Sequence, residues 1–317
     1  MGWILKQLYN FLGSISNGQL ANYAIAIALF TILVNVVFLP VNINQQKTSA
    51  KQTAIRPKMD ELKKKYGDDR QQYSIELQNL NQREGISMMG GCLPQLIRLP
   101  FLWGVWMAIR TPLSYILNFP KDIIESSEKA LQGLVESGVV KGLKANAITE
   151  LDVVHHIDTL VKNEPANEGL QKIAEGIKSM DFNFFGIDLT EIPHFTFNFS
   201  SVTGHQVALW IIPLLSFATA MLSSVVMLKM QKKTNPDAAS MGGMMLFMPL
   251  LSLYIAFKVP GAVGFYWAFS NVVTMVIQII MNKTLSPYKI IARNEAKLIS
   301  ERRKKENELK AKNTVTE

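Results

Sequence analysis

Residues 22–41 read NYAIAIALFTILVNVVFLPV. No residue in this stretch carries a charge, Asn35 is its one strongly polar inner residue, and Pro40 stands at its end. A helix of about 20 apolar residues is long enough to cross a hydrocarbon core roughly 30 Å thick. The stretch therefore reads as a transmembrane span. The chain average, 48% hydrophobic with a mean hydropathy of +0.14, fits a large soluble domain as well as a membrane protein. The distribution decides, because four more apolar runs follow. With the first span at 22–41, the others are placed at 90–110, 207–228, 241–258 and 259–282. Tyr23, Trp210, Tyr254, Tyr266 and Trp267 lie near span ends, where amphipathic rings prefer the headgroup level.

Charge orients the spans. Of the 33 Lys and Arg residues, 19 lie between Asn42 and Ser87 or beyond Asn282, and Lys229, Lys232 and Lys233 follow the third span. Five spans place these three basic regions on one side, which the positive-inside rule makes cytoplasmic. The expected topology is N-terminus outside, C-terminus inside, with a cytoplasmic helical hairpin at 42–89, a loop at 229–240 and a basic tail at 283–317. The extracytoplasmic segment 111–206 has more acids than bases and carries three helical patterns: Ile123 to Val135, Ile148 to Val161 and Leu170 to Ile177. In the hairpin, Pro57 suits a first helical position, Lys63, Lys64 and Lys65 fill a last turn, Gly67 terminates it, and Asp68 or Asp69 caps a second helix. Residues 1–21 mix Trp3, Leu5, Leu8 and Phe11 with Lys6, Asn10 and Ser14, too broken for a signal-peptide core, and read as an amphipathic interfacial helix.

Chemistry-bearing motifs are sparse. His155, His156, His194 and His205 all fall in the outer segment without a recognised ligand spacing, and read as solvated surface histidines. Cys92 is the one cysteine, so no internal disulfide is possible. No nucleophile motif, phosphate loop or dinucleotide fingerprint occurs; the reading is a non-enzyme with no cofactor and no metal. Pro94, Pro100, Pro213 and Pro249 interrupt spans and free backbone carbonyls that neighbouring helices or water must satisfy. Arg98 sits inside the second span, where an insertion cost of about 2.5–3.5 kcal/mol favours a wet cavity over lipid; snorkelling to the headgroups is the competing reading.

Three ordered stretches, Arg56-Pro57-Lys58-Met59, Lys65-Tyr66-Gly67-Asp68-Asp69 and Gly90-Gly91-Cys92-Leu93-Pro94-Gln95-Leu96-Ile97-Arg98-Leu99-Pro100, resemble the hairpin and second conserved span of the YidC/Oxa/Alb insertase family. Asn183 to Leu189, Met244 to Pro249 and Gly264 to Asn271 continue the match in order. The resemblance runs from about residue 22 to 282, apart from an outer insertion near 121–180 that is longer than in a typical short bacterial member. It implies an all-α polytopic membrane protein with five transmembrane helices around a cytoplasm-open hydrophilic groove, resident in a bacterial cytoplasmic membrane and lacking a large periplasmic domain. It also implies a non-enzymatic insertase and chaperone. Its partners would be nascent membrane proteins, the Sec translocon, the ribosome through the hairpin and basic tail, and the lipid bilayer.

The polar span residues are then the candidate groove contacts: Asn35 and Arg98 first, followed by Gln95, Ser216, Thr219, Ser223, Ser252, Ser270, Asn271 and Gln278. One departure stands out, because Asn35 occupies the position where bacterial members carry an arginine, and Arg98 a position that is usually glutamine. Both positions fall roughly 10 Å from the cytoplasmic boundary at 1.5 Å per residue, so Arg98 is expected to face Asn35. The rival reading is a small-solute transporter or channel, which would want paired repeats or a second intramembrane charge.

Overall fold

A computed structural model describes residues 2–16, 22–86, 93–195, 203–234 and 242–315, with the backbone alone described at 93–99, 102, 231–234, 242, 244–245 and 311–315. In chain order the helices are α1 (Gly2–Ser16), α2 (Tyr23–Val37), α3 (Leu39–Ala54), α4 (Arg56–Tyr66), α5 (Arg70–Arg83), α6 (Leu93–Arg110), α7 (Pro112–Tyr115) and α8 (Lys121–Glu136). After them come α9 (Glu150–His155), α10 (Ile157–Asn163), α11 (Glu168–Lys178), α12 (Gly204–Thr234), α13 (Gly242–Ala256), α14 (Gly261–Thr284) and α15 (Pro287–Val315). One two-stranded hairpin, β1 (Asn183–Phe184) with β2 (Ile187–Asp188), interrupts the helical order. Gly204–Met230 and the stretch Gly261–Lys310 are long and apolar enough to cross a membrane, α2 with α3 adds a third crossing if read as one, and Leu246–Ala256 is a shorter apolar helix. The protein is an all-α polytopic membrane protein.

The chain divides into two compact units. The first comprises 1–36, 97–225 and 243–274. Its core joins Leu5, Tyr9 and Leu12 of α1 with Ala24, Ala26, Ile27 and Phe30 of α2, Ala108 of α6, Ile212 of α12 and Ala262 of α14. Alanines at these contacts let helix backbones approach closely, which replaces the hydrophobic drive that lipid cannot supply. A Cβ on Gly264 would lie 2.8 Å from Ile212 Cγ2, so any side chain there would force Ile212 or the approach of α14 to α12 to shift. The amphipathic N-terminal helix is present, and its buried face meets protein, while Trp3, Phe11 and Ile15 are exposed.

The segment after α11 ties the helix starts together. Tyr23 N–H donates to the Asp181 carbonyl at 2.9 Å, and Gly261 and Ala262 N–H donate to the carbonyls of Glu191 and Leu189 at 2.8 and 2.7 Å. These are first-turn amides with no partner inside their own helices. Asn22 completes the clasp: its side chain accepts from Ala24 N–H at 2.9 Å and donates to Asp181 at 2.8 Å. The β-hairpin lies within this segment and turns through Phe185 and Gly186, at φ 51° and 81°. Two residues at positive φ are what a tight hairpin with right-handed strand twist requires.

Within the same unit, α7 to α11 form a cap with a core of its own, built from Leu113, Ile124, Leu131, Val153, Leu160, Leu170 and Ile173. Thr149 and Asp152 make a reciprocal capping box at the start of α9, and Asn167 accepts from Gly169 and Leu170 N–H at the start of α11. His156 separates α9 from α10, so the single pattern expected from Ile148 to Val161 is two short helices. Buried Glu150 accepts hydrogen bonds from the Ser114 amide at 3.0 Å and from the Ser114 hydroxyl, joining α9 to α7.

The second unit comprises 37–96, 226–242 and 275–317. Here α3 packs along α15 and α4 along α5. Helix α4 carries proline in its first positions and stops at Gly67, and Asp69 caps α5 by accepting from Gln71 and Gln72 N–H, both at 3.0 Å. Residues 42–54, at the start of the segment 42–89 expected as a helical hairpin opening near Pro57, form part of a helix of their own. Pro40 explains the difference: it lies at N1/N2 of α3, where a missing amide hydrogen costs nothing, so it starts one helix as readily as it ends another.

Candidate functional site

Asn35 stands on α2, whose outward face is apolar: Ile32, Leu33, Val36 and Val37 are 43–61% exposed. The inward face carries Thr31 and Asn35, which are buried. Thr31 Oγ1 donates to the Ile27 carbonyl at 2.7 Å, and Asn35 Nδ2 to the Thr31 carbonyl at 2.9 Å. Each polar group thus satisfies itself on the preceding turn of its own helix, the usual solution for Ser, Thr and Asn inside a span. The Asn35 amide oxygen still has capacity to accept, and Thr274 Oγ1 of α14 donates to it at 3.4 Å.

A second cluster lies one turn away on the same helix. Asn271 Nδ2 reaches the Ser216 carbonyl at 3.5 Å and Thr219 Oγ1 at 3.4 Å, linking α14 to α12. Ser216 is buried, and Thr219 Oγ1 donates to the Leu215 carbonyl at 2.9 Å. Asn271 and Thr274 are three residues apart, so they share a face of α14 and carry hydrogen bonds to two neighbouring helices. Asn35, Ser216, Thr219 and Asn271 are therefore brought into one polar interior. Ser223, Ser252 and Ser270 are half-buried and lie outside this network. The side chains of Gln95 and Arg98, and Cys92 altogether, fall outside the described residues, as does the expected contact between Arg98 and Asn35.

Gln278 belongs to a different place. In the second unit it lines a cavity of about 110 Å³ with Asn42, Gln45, Gln46, Ser49 and Asn282, floored by Met227 and Met230. A polar cavity of that size has room for several waters. The sequence reading left Asn42, Gln45, Gln46 and Ser49 out of the candidate residues because they fall in the hairpin segment 42–89, outside the apolar runs. Their spacing of three, one and three residues marks one helical face, and Gln278 with Asn282 repeats the four-residue step on α14. Thr31 and Thr274 were missed too, although Thr31 lies one turn before Asn35.

These side chains are hydrogen-bonding but uncharged. Because most of them can fall back on their own helix backbone, they can exchange a partner for a polar group of another chain at low cost. Apolar helices facing outward and such groups facing inward define a polytopic helical membrane protein with polar side chains in its interior.

The sequence matches the 60Kd inner membrane protein family over residues 15–288, and the chain belongs to that family. It is similar to the "Membrane protein insertase YidC" of Caldanaerobacter subterraneus subsp. tengcongensis, with 36% identity over 111 residues, 35% of this chain and 50% of that one. The protein of the same name from Fusobacterium nucleatum subsp. nucleatum is 31% identical over 108 residues, 34% of this chain and 53% of that one. For that of Cellvibrio japonicus the figures are 38% over 110 residues, 34% and 20%. The chain thus spans about half, or less, of the length of these relatives.

Proposed function

We propose that this protein is a membrane protein insertase and chaperone of a bacterial cytoplasmic membrane. The family match over 15–288 carries this reading, because it takes in every helix that bears the inward polar groups. A nascent hydrophobic segment enters a groove lined by Asn35, Gln95, Arg98, Ser216, Thr219, Ser223, Ser252, Ser270, Asn271 and Gln278, open to the cytoplasm among five spans. Its polar flanks exchange hydrogen bonds with these side chains while its apolar face moves into lipid. The driving force is transfer of the segment itself, about 0.3–0.6 kcal/mol per Leu, Ile, Phe or Val; the groove lowers the barrier for the polar part. No covalent step and no cofactor is required.

The same reading places the N-terminus outside and the C-terminus inside, with clients delivered alone or beside the Sec translocon. The basic hairpin and tail meet the ribosome. Purified protein in proteoliposomes should accelerate insertion of small membrane proteins with short outer segments. No acceleration with several such clients, together with movement of a small solute, would put the transporter reading in its place. Within the groove, Arg98→Gln should lower insertion, and adding Asn35→Arg should restore part of it, since the cation would return on a neighbouring span.

A further inference from the structure

On the cap side of the first unit a cavity of about 720 Å³ is lined by residues of α6, of the cap, of the segment after the β-hairpin and of the α13–α14 connection. Its volume falls within the roughly 300–1,000 Å³ typical of small-ligand sites. Three acids and two permanent cations line it: Asp152, Asp188 and Glu191 against Arg110 and Lys258. Formal charge is close to balanced, but the two signs are engaged very differently.

Every acid is already occupied. Asp152 Oδ2 accepts from the Thr149 amide and hydroxyl, both at 2.8 Å. Asp188 Oδ1 accepts from the Thr190 amide at 2.8 Å and its hydroxyl at 2.7 Å. Glu191 pairs with His205 at 2.9 Å. Two of the histidines are held as well: Thr190 has given its hydrogen to Asp188 and so accepts from His155 Nε2 at 2.7 Å, and His156 Nδ1 donates to the Asp152 carbonyl at 3.0 Å. Both line the cavity wall, His155 still exposed and His156 half-buried, as surface histidines bonded to their neighbours.

The cations are left over. Among the described residues neither Arg110 nor Lys258 has a carboxylate partner; the Arg110 guanidinium rests over the Trp106 ring at 5.0 Å. Such stacking leaves the guanidinium N–H edge free to donate. Position then narrows the ligand. Arg110 is the last residue of α6, and Lys258 lies between the end of α13 and the start of α14. Both stand at the ends of apolar helices, with Trp106 one turn before Arg110; basic residues and tryptophan at such ends suit the depth of lipid phosphates. Phe182, Val259 and Pro260 give the same cavity an apolar wall.

We propose that this cavity holds the phosphate of an anionic phospholipid, bridged by Arg110 and Lys258, with the glycerol region against Trp106 and Phe182. The test is native mass spectrometry of the full-length chain in uncharged detergent, titrated with phosphatidylglycerol or phosphatidylcholine. Wild type should retain phosphatidylglycerol roughly thirtyfold better, as two basic residues near a lipid surface provide at about 1 kcal/mol each. Arg110→Gln with Lys258→Gln should abolish the preference; Arg110→Lys with Lys258→Arg should keep most of it. Lys304→Gln with Lys305→Gln, on the exposed basic tail, should leave it unchanged. Equal retention of the two lipids, or an undiminished preference in the Arg110→Gln/Lys258→Gln variant, overturns the site. Displacement of phosphatidylglycerol by inorganic phosphate at matching concentration would overturn the lipid as its source. The readout is lipid binding, so its failure leaves the insertase reading untouched.

Discussion

The cap and the span helices of the first unit are built by opposite rules. In the cap, Leu131, Leu160, Leu170 and Ile173 are fully enclosed, and capping side chains hold the ends of α9 and α11. In the spans, Leu33, Val36, Leu214, Leu222 and Phe247 are 46–62% exposed while Thr31, Asn35 and Ser216 are buried. The inversion follows from the solvent. Water drives apolar groups inward, whereas lipid tails are as apolar as leucine and give no such push, leaving packing of small residues and hydrogen bonds to hold helices together.

That contrast can be broken at measurable points. The largest effect is expected in the cap: Leu131→Ala leaves a cavity in a water-driven core and should cost about 2–5 kcal/mol. Hydrogen exchange across α8 to α11 should rise accordingly, with no change in extraction of the protein from membranes. Unchanged protection would mean that the cap does not depend on its own core.

In the spans the corresponding change is Asn35→Leu. It removes a 3.4 Å hydrogen bond to Thr274, whose hydroxyl can turn to its own helix, so unfolding in mixed micelles should shift by no more than about 1 kcal/mol. Insertion activity should fall in the same variant. A stability loss as large as that of Leu131→Ala would erase the difference between the two regions.

Between them, Phe185 holds a positive φ at the hairpin tip with 91% exposure, a backbone conformation that asparagine adopts more readily. Phe185→Asn should stabilise the protein by up to about 1 kcal/mol, read as a higher melting temperature.

The smallest effect concerns Glu128 on α8, whose carboxyl is held above its ordinary value of 4.5, chiefly by burial and then by repulsion from Glu150, Glu125 and Asp152. The folded state binds this proton more tightly than the unfolded chain. Its contribution is therefore fully present below 4.5 and is lost as pH rises through the higher folded value. Glu128→Gln should slow exchange of α8 at about pH 7 and leave it unchanged near pH 4. A gain at the lower pH would assign the effect to packing instead of charge.

Much of this architecture could be read locally. Gly67 and Asp69 mark the turn between α4 and α5 because a helix end and a helix cap are matters of a few neighbouring residues. The helices of the cap follow their apolar spacing, and α12 and α14 their charge-free length. The β-hairpin escaped, since strands of two residues carry no alternation to detect. Helix α3 was hidden because Pro40 reads equally well as a stop and as a start.

The amino-acid sequence by itself determined that this chain crosses a membrane, where its basic and acidic segments fall, and which polar residues lie inside apolar runs. Length, charge and periodicity are properties of consecutive residues, and they survive without knowledge of neighbours. Only the tertiary structure decided that Asn35 meets Thr274, that Asn271 meets Ser216 and Thr219, and that Gln278 belongs with Asn42, Gln45, Gln46 and Ser49. The same holds for Asp188, Glu191 and Asp152, whose local partners leave Arg110 and Lys258 as the open charges of the cap-side cavity. Each of those pairings depends on the rotation and depth of one helix against another, and these are set by packing across the fold, where no local pattern records them.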